Sequence, residues 1–268
     1  MKKLALLVSG LILVGCGQQA NDDITTVTVG VVGAFHRQWD KVNELLLPDN
    51  IQVELVHFTD FTTPNLALND GDIDMNAFQN IGFLNNAIEQ NGFDITIMGY
   101  TNIYILALYP NLARVSSMDD IVDGSVIGIP SDLTNRGRAL KLLEAAGLIV
   151  IDPAAGFLPS QLDITEFIVE IEILEAESGM LASLLPDLDG AVINAGNSFV
   201  AGLFPFEDGI FLEDSENIEI RDQLINVIAA RTADADNPIF RRIVEVYHTD
   251  EVRQTILTEF QGSLIPAW

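Results

Sequence analysis

The sequence predicts an α/β protein of mixed sheets flanked by helices, and three observations carry that prediction. Runs of strand length that alternate apolar and polar residues recur from residue 27 to residue 229. Between them lie segments of helical periodicity, the clearest placing Ala139, Leu142, Leu143 and Ala146 at i, i+3, i+4 and i+7. Residues 58–84, FTDFTTPNLALNDGDIDMNAFQNIGFL, compress strand, helix, short strand and helix into one segment, the rhythm of an open α/β sheet.

Residues 27–32 form the first expected strand, ended by Gly33, and residues 40–47 the first helix, broken by Pro48-Asp49-Asn50. Residues 51–58 alternate as a second strand. Pro64 suits the first turn of the next helix, where its missing N–H costs nothing, and Asn69-Asp70-Gly71-Asp72 stops that helix. Ile73-Asp74-Met75 is a short strand, and Asn76 is expected to cap a helix opening with Ala77-Phe78-Gln79 and ending at Gly92. Residues 94–98 and 103–108 are two further strands, after which Tyr109-Pro110-Asn111 takes the chain away from this group.

In the second group, residues 117–121 form a short capped turn and residues 126–129 a buried strand. The patterned helix that follows ends at Gly147. Residues 168–174 are expected as a strand, 180–185 as a helix and 191–194 as a buried strand, with Asn197 opening the next helix. Residues 224–229 form a late strand carrying Asn226. Asn237-Pro238 starts one helix, and Thr249 or Asp250 caps another; these two helices return to the first group.

Composition narrows the function. The 268 residues, 49% hydrophobic, can bury a large core, while 13 Lys and Arg against 39 Asp and Glu give a formal net charge of −26. That surface repels nucleic acid and favours a soluble monomer. Lys2 and Lys3 precede an apolar run too short to span a bilayer, which takes about 20 residues. Residues 1–15 are therefore expected as a signal peptide. Leu13-Val14-Gly15-Cys16 resembles the bacterial lipobox, so Cys16, the only cysteine, is the expected lipidation site, anchoring the chain to the extracytoplasmic side of the bacterial membrane. Residues 16–26 would be a polar tether.

Residues 58–79 also carry the pattern F-x-D-[YF]-x-x-P-N-x-A-L followed by G-x-I-D-x-N-x-F-Q. The match runs through Phe58, Asp60, Phe61, Pro64, Asn65, Ala67, Leu68, Gly71, Ile73, Asp74, Asn76, Phe78 and Gln79. In this the chain resembles the methionine-binding lipoproteins (NlpA/MetQ type) that feed bacterial ATP-binding-cassette importers. Thr134-Asn135-Arg136-Gly137-Arg138, Ala191-Val192-Ile193-Asn194 and the Pro266-Ala267-Trp268 ending extend the resemblance over the mature chain. It implies a two-lobed periplasmic-binding-protein-like fold of type II with the ligand in the interlobe cleft. Lobe one would take residues 27–108 and 226–268, and lobe two residues 109–225. The implied partners are an amino-acid ligand, the importer permease and its ATPase, with no cofactor.

The resemblance implies ligand contacts at Phe61, Phe78, Asn80, Phe83, Arg138, Asn194 and Asn226. The phenylalanines would enclose a ligand side chain. Arg138, at the start of a helix, can grip a carboxylate with two parallel hydrogen bonds, or can bridge the lobes or an acidic surface. Asn194 offers both donor and acceptor to a zwitterion, or caps a turn; Asn226, buried in a strand, needs partners, a ligand amine among them. Asn80 stands where the family usually has histidine, and Phe61 and Phe83 lack ring hydroxyls often present there. The resemblance implies L-methionine as ligand, and these departures imply an altered preference, for a related apolar amino acid or a methionyl dipeptide.

Other chemistries find little support. Asp70, Asp72 and Asp74 have calcium-loop spacing, but Met75 and Ile81 fill positions that need glycine and glutamate. His36, His57 and His248 are scattered, without metal-ligand spacing. No nucleophile elbow, phosphate loop or dinucleotide fingerprint occurs. A surface lipoprotein with an adhesive or structural role and a lipid-anchored hydrolase are the remaining alternatives.

Overall fold

The computed structural model describes residues 24–33, 35–214, 222–261 and 263–268. The leader, Cys16 and most of the expected tether lie outside those residues. In chain order, β1 (Thr25–Val32), α1 (Arg37–Leu46), β2 (Ile51–Phe58), α2 (Thr63–Asp70), β3 (Met75–Asn76), α3 (Ile81–Asn91) and β4 (Ile95–Tyr104) come first. Then follow β5 (Leu106–Pro110), β6 (Val126–Pro130), α4 (Leu133–Ala145), β7 (Ile149–Ile151), β8 (Ile164–Phe167) and β9 (Glu172–Ala176). Next are α5 (Leu181–Leu184), β10 (Gly190–Asn194), α6 (Ala195–Val200), α7 (Pro205–Asp208) and β11 (Phe211–Leu212). The last elements are β12 (Ile225–Arg231), α8 (Pro238–Tyr247), α9 (Asp250–Glu259) and β13 (Leu264–Pro266).

Two sheets organise these elements. One has the order β13-β4-β12-β3-β1-β2, the other β11-β5-β10-β6-β9, and β7 pairs with β8 in a small ribbon. β1 runs parallel to β2 and β3, while β12 is antiparallel to β3 and β4, so the first sheet is mixed. Val27, Val29 and Val31 of β1 bury one face under Trp39 and Val42 of α1, Ile243 and Tyr247 of α8, and Val252 and Ile256 of α9. The opposite face packs Ile95, Val227 and Ala229 on Leu68 of α2 and Leu84 of α3. In the second sheet the period of two is plain within β5: Leu106 and Leu108 join the α4 core, while Ala107 and Tyr109 join the α5 core.

Several local expectations change. Thr25 and Thr26, read as tether, pair with Ile51 and Gln52 and belong to β1. Residues 94–98 and 103–108, expected as two strands, are divided differently: residues 95–104 form one strand whose register shifts opposite β12 absorb the irregularity. Gly99 is needed there because a Cβ would lie 2.4 Å from Val244 Cγ1, so helix α8 could not seat. The chain then passes to the second sheet at Ile105, earlier than Tyr109, because Leu106 already pairs with Asn194 of β10. Of the strand expected at 168–174 only residues 172–174 are strand, as the start of β9, which pairs with β6; the preceding strand β8 ends at Phe167 and pairs with β7. The patterned helix ends as expected, with Gly147 at φ +76° where a side chain would be strained.

Candidate functional site

A crevice opens where β1, β3 and β10 end and α3, α4 and α6 begin, the position at which open α/β sheets bind ligands. It is partly open to solvent. All of Phe61, Phe78, Asn80, Phe83, Arg138, Asn194 and Asn226 line it.

The aromatic wall is set by buried amides. Asn65 Nδ2 donates to Gln79 Oε1 at 2.7 Å, Gln79 Nε2 to Asn65 Oδ1 at 2.7 Å and to Asn76 Oδ1 at 3.0 Å, and Asn76 Nδ2 to Asn65 Oδ1 at 2.9 Å. Asn76 is therefore not the helix cap expected of it. Its amide is engaged in this cluster, which holds residues 77–79 outside the helix. The cap is Asn80, whose Oδ1 accepts the Phe83 N–H at 2.8 Å and starts α3 at Ile81. Phe78 and Phe83 are thereby fixed from two different segments and meet Phe61, with ring centroids 6.0–6.2 Å apart. Asn80 also bridges to Asn226 through the backbone, bringing that strand residue to the crevice.

The opposite wall comes from α4 and α6. Asp132 caps α4 by accepting Asn135 N–H at 3.0 Å and also takes Asn135 Nδ2, which orients the Asn135 amide. Asn135 Oδ1 then accepts from Arg138 Nη1 at 3.1 Å and from Asn194 Nδ2 at 2.9 Å. Arg138 lies in the second turn of the helix, not the first. Its guanidinium donates through Nε and Nη2 to Glu213 at 3.0 and 2.6 Å, and through Nη2 to the Tyr104 carbonyl at 3.1 Å. Arg138 thus lines the crevice and pairs an acid at the junction of the sheets. The two-point grip is taken by Glu213. One Nη1–H is left without a partner among the described residues.

Sequence reading missed His36, Tyr104, Asn135 and Asn197, which also line the crevice. Asn194 stands at the N-cap position of α6, which starts before Asn197, yet its side chain does not cap. Its Oδ1, together with Asn197 Nδ2 and His36 Nδ1, is buried without a hydrogen-bond partner among the described residues. Burial, helped by the neighbouring His57 ring, holds His36 down at about 4, so it is neutral near pH 7. Its Nε2 lies 3.1 Å from the Val32 carbonyl and so carries the hydrogen, leaving Nδ1 as an acceptor. Burial pushes the Tyr104 phenol up to about 12, keeping it protonated. His36 follows the end of β1 and Asn197 follows the end of β10; strand-end position was the available signal, and neither residue falls in a motif.

A family model described as NlpA lipoprotein matches residues 27–268. The chain belongs to the NlpA lipoprotein family. Its relatives include the probable D-methionine-binding lipoprotein MetQ of Vibrio cholerae, 36% identical over 99% of this chain and 96% of that protein. Among solved structures, protein PG110 of Staphylococcus aureus superposes with a TM-score of 0.86 at 38% identity, covering 90% of this chain and 94% of that one. A nutrient binding protein of Burkholderia cenocepacia bound to methionine gives 0.83 at 32% identity, covering 90% and 100%. The fold is that of these two-lobed substrate-binding proteins, and the relatives are binding proteins.

Proposed function

We propose that this NlpA-family lipoprotein is the extracytoplasmic solute-binding subunit of an ATP-binding-cassette importer. It would be anchored through an acylated Cys16 and deliver methionine, or a related apolar amino acid or methionyl dipeptide, to the permease and its ATPase. The observation that carries this reading is the division of one crevice into a three-phenylalanine wall and a polar wall with unpartnered Asn194 Oδ1, Asn197 Nδ2 and His36 Nδ1. Buried polar atoms are normally paired, so a ligand with both donors and acceptors at one end is the natural complement. The names of the relatives support the same ligand class.

In this reading the ligand carboxylate meets the free Nη1–H of Arg138 and the amide of Asn197, while the ammonium meets Asn194 Oδ1 and Asn226. Phe61, Phe78 and Phe83 receive the side chain, and Asn80 holds Phe83 in place while facing the crevice. Burying a methionine side chain contributes about 1.5–3 kcal/mol, and sulfur on aromatic rings about 0.3–1.5. Micromolar binding needs about 8.2 kcal/mol, so the polar head supplies the larger share. The lobes would turn about Ile105, and closure on the ligand would be what the permease reads.

Isothermal calorimetry of the full chain with L-methionine tests the proposal, together with mass spectrometry of any ligand co-purified with it. Saturable binding at one site is expected. No heat and no thermal shift across a panel of apolar amino acids and methionyl dipeptides would sink it.

A further inference from the structure

Among the described residues lining the crevice, Arg138 alone carries a full charge, and that charge is compensated where it stands. Glu213 does not itself line the crevice. Its Oε1 accepts Arg138 Nε at 3.0 Å; its Oε2 accepts Nη2 at 2.6 Å and the Leu106 backbone N–H at 3.3 Å. The Glu213 backbone N–H donates to the Leu106 carbonyl at 2.8 Å, so the carboxylate is held at its root as well as its tip. The two side chains are 4% and 6% exposed, which leaves water little part in screening them. Toward the crevice the pair therefore presents a dipole of zero net charge, with Nη1 at its positive end.

We propose that Glu213 is a positioning and specificity-determining residue of the ligand site. It fixes the guanidinium and cancels its charge, so that the crevice selects ligands bearing an acid and an amine together over simple monoanions. An uncompensated buried guanidinium would accept any carboxylate. With Glu213 in place, an incoming carboxylate is attracted by Nη1 and repelled by the acid behind it, and the ligand's own ammonium makes up the difference. The inference rests on the amino-acid reading of the crevice given above.

The test is calorimetry on the full chain in detergent with three probes: L-methionine, the anion 4-(methylthio)butanoate and the cation 3-(methylthio)propylamine. In the wild type, the zwitterion binds more tightly than either singly charged probe. In Glu213→Gln, affinity for the anion relative to methionine rises by about tenfold or more, and that for the cation relative to methionine falls, as removal of one nearby buried charge requires. Glu213→Asp keeps the charge and stays near the wild-type ratios, which a role in packing alone would not produce. Unchanged ratios in Glu213→Gln overturn the inference. If that variant does not fold, the wild type decides: the anion binding as tightly as methionine overturns it, and clear rejection of the anion upholds it. Failure of methionine to bind the wild type at all strikes the amino-acid reading instead.

Discussion

Replacing Arg138 by alanine removes the donors to Glu213, Tyr104 and Asn135 at once and leaves the Glu213 carboxylate buried with the Leu106 N–H as its remaining partner among the described residues. The side chains are 4% and 6% exposed, so the uncompensated acid cannot be rescued by water without opening the junction between the sheets. Breaking a buried pair from one side costs about 3–5 kcal/mol, whereas replacing both members by apolar residues is often near neutral. At about 2–4 °C per kcal/mol for a chain of this size, Arg138→Ala should lower the melting temperature by about 6–20 °C. The double variant Arg138→Met with Glu213→Leu should recover most of that loss while still failing to bind methionine. Thermal unfolding followed by circular dichroism, with calorimetry on the same samples, separates the two effects. A single variant as stable as the wild type, or a double variant no better than the single, would refute the reasoning that Glu213 is held by this one guanidinium.

Further outcomes follow from the same geometry. His36 titrates at about 4 in the folded chain against 6.5 unfolded, so its contribution is complete above pH 6.5 and is lost as pH falls toward 4. At about 1.4 kcal/mol per unit this is of order 3 kcal/mol, and urea unfolding of His36→Gln between pH 7 and 4 should show a correspondingly flatter profile. Gly99→Ala drives a Cβ against Val244 Cγ1 at 2.4 Å and should cost about 1–3 kcal/mol by overpacking, read as a shift in the urea midpoint. Asn76→Ala strips partners from Gln79 and Asn65, at about 1–3 kcal/mol for buried groups left unpaired. It should also weaken ligand binding through Phe78, whereas Asn69→Ala, on the exposed end of α2, should change neither in the same assays.

Much of the fold was legible because it depends on local pattern. Alternation in residues 27–32 and 51–58 marked β1 and β2, and the spacing of Ala139, Leu142 and Leu143 marked α4. The residues of the crevice came from motif resemblance, which named Phe61, Phe78, Asn80, Phe83, Arg138, Asn194 and Asn226 without placing them against one another. What failed was local reasoning where a distant partner decides. Asn76 is a good cap by type, but Asn65 and Gln79 compete for its amide and win. Gly99, in the middle of β4, fell outside both expected strands because its reason, helix α8, lies far along the chain.

By itself, then, the sequence determined the α/β class, the alternation that builds each sheet and the amino acids available for a site, because periodicity and capping act within a few residues of one another. Only the tertiary structure decided which acid stands behind Arg138. Glu213 is 75 residues away, beyond the reach of any local pattern. It meets the guanidinium because the chain returns beside its own outgoing strand at Leu106, and a buried charge there must find an opposite one.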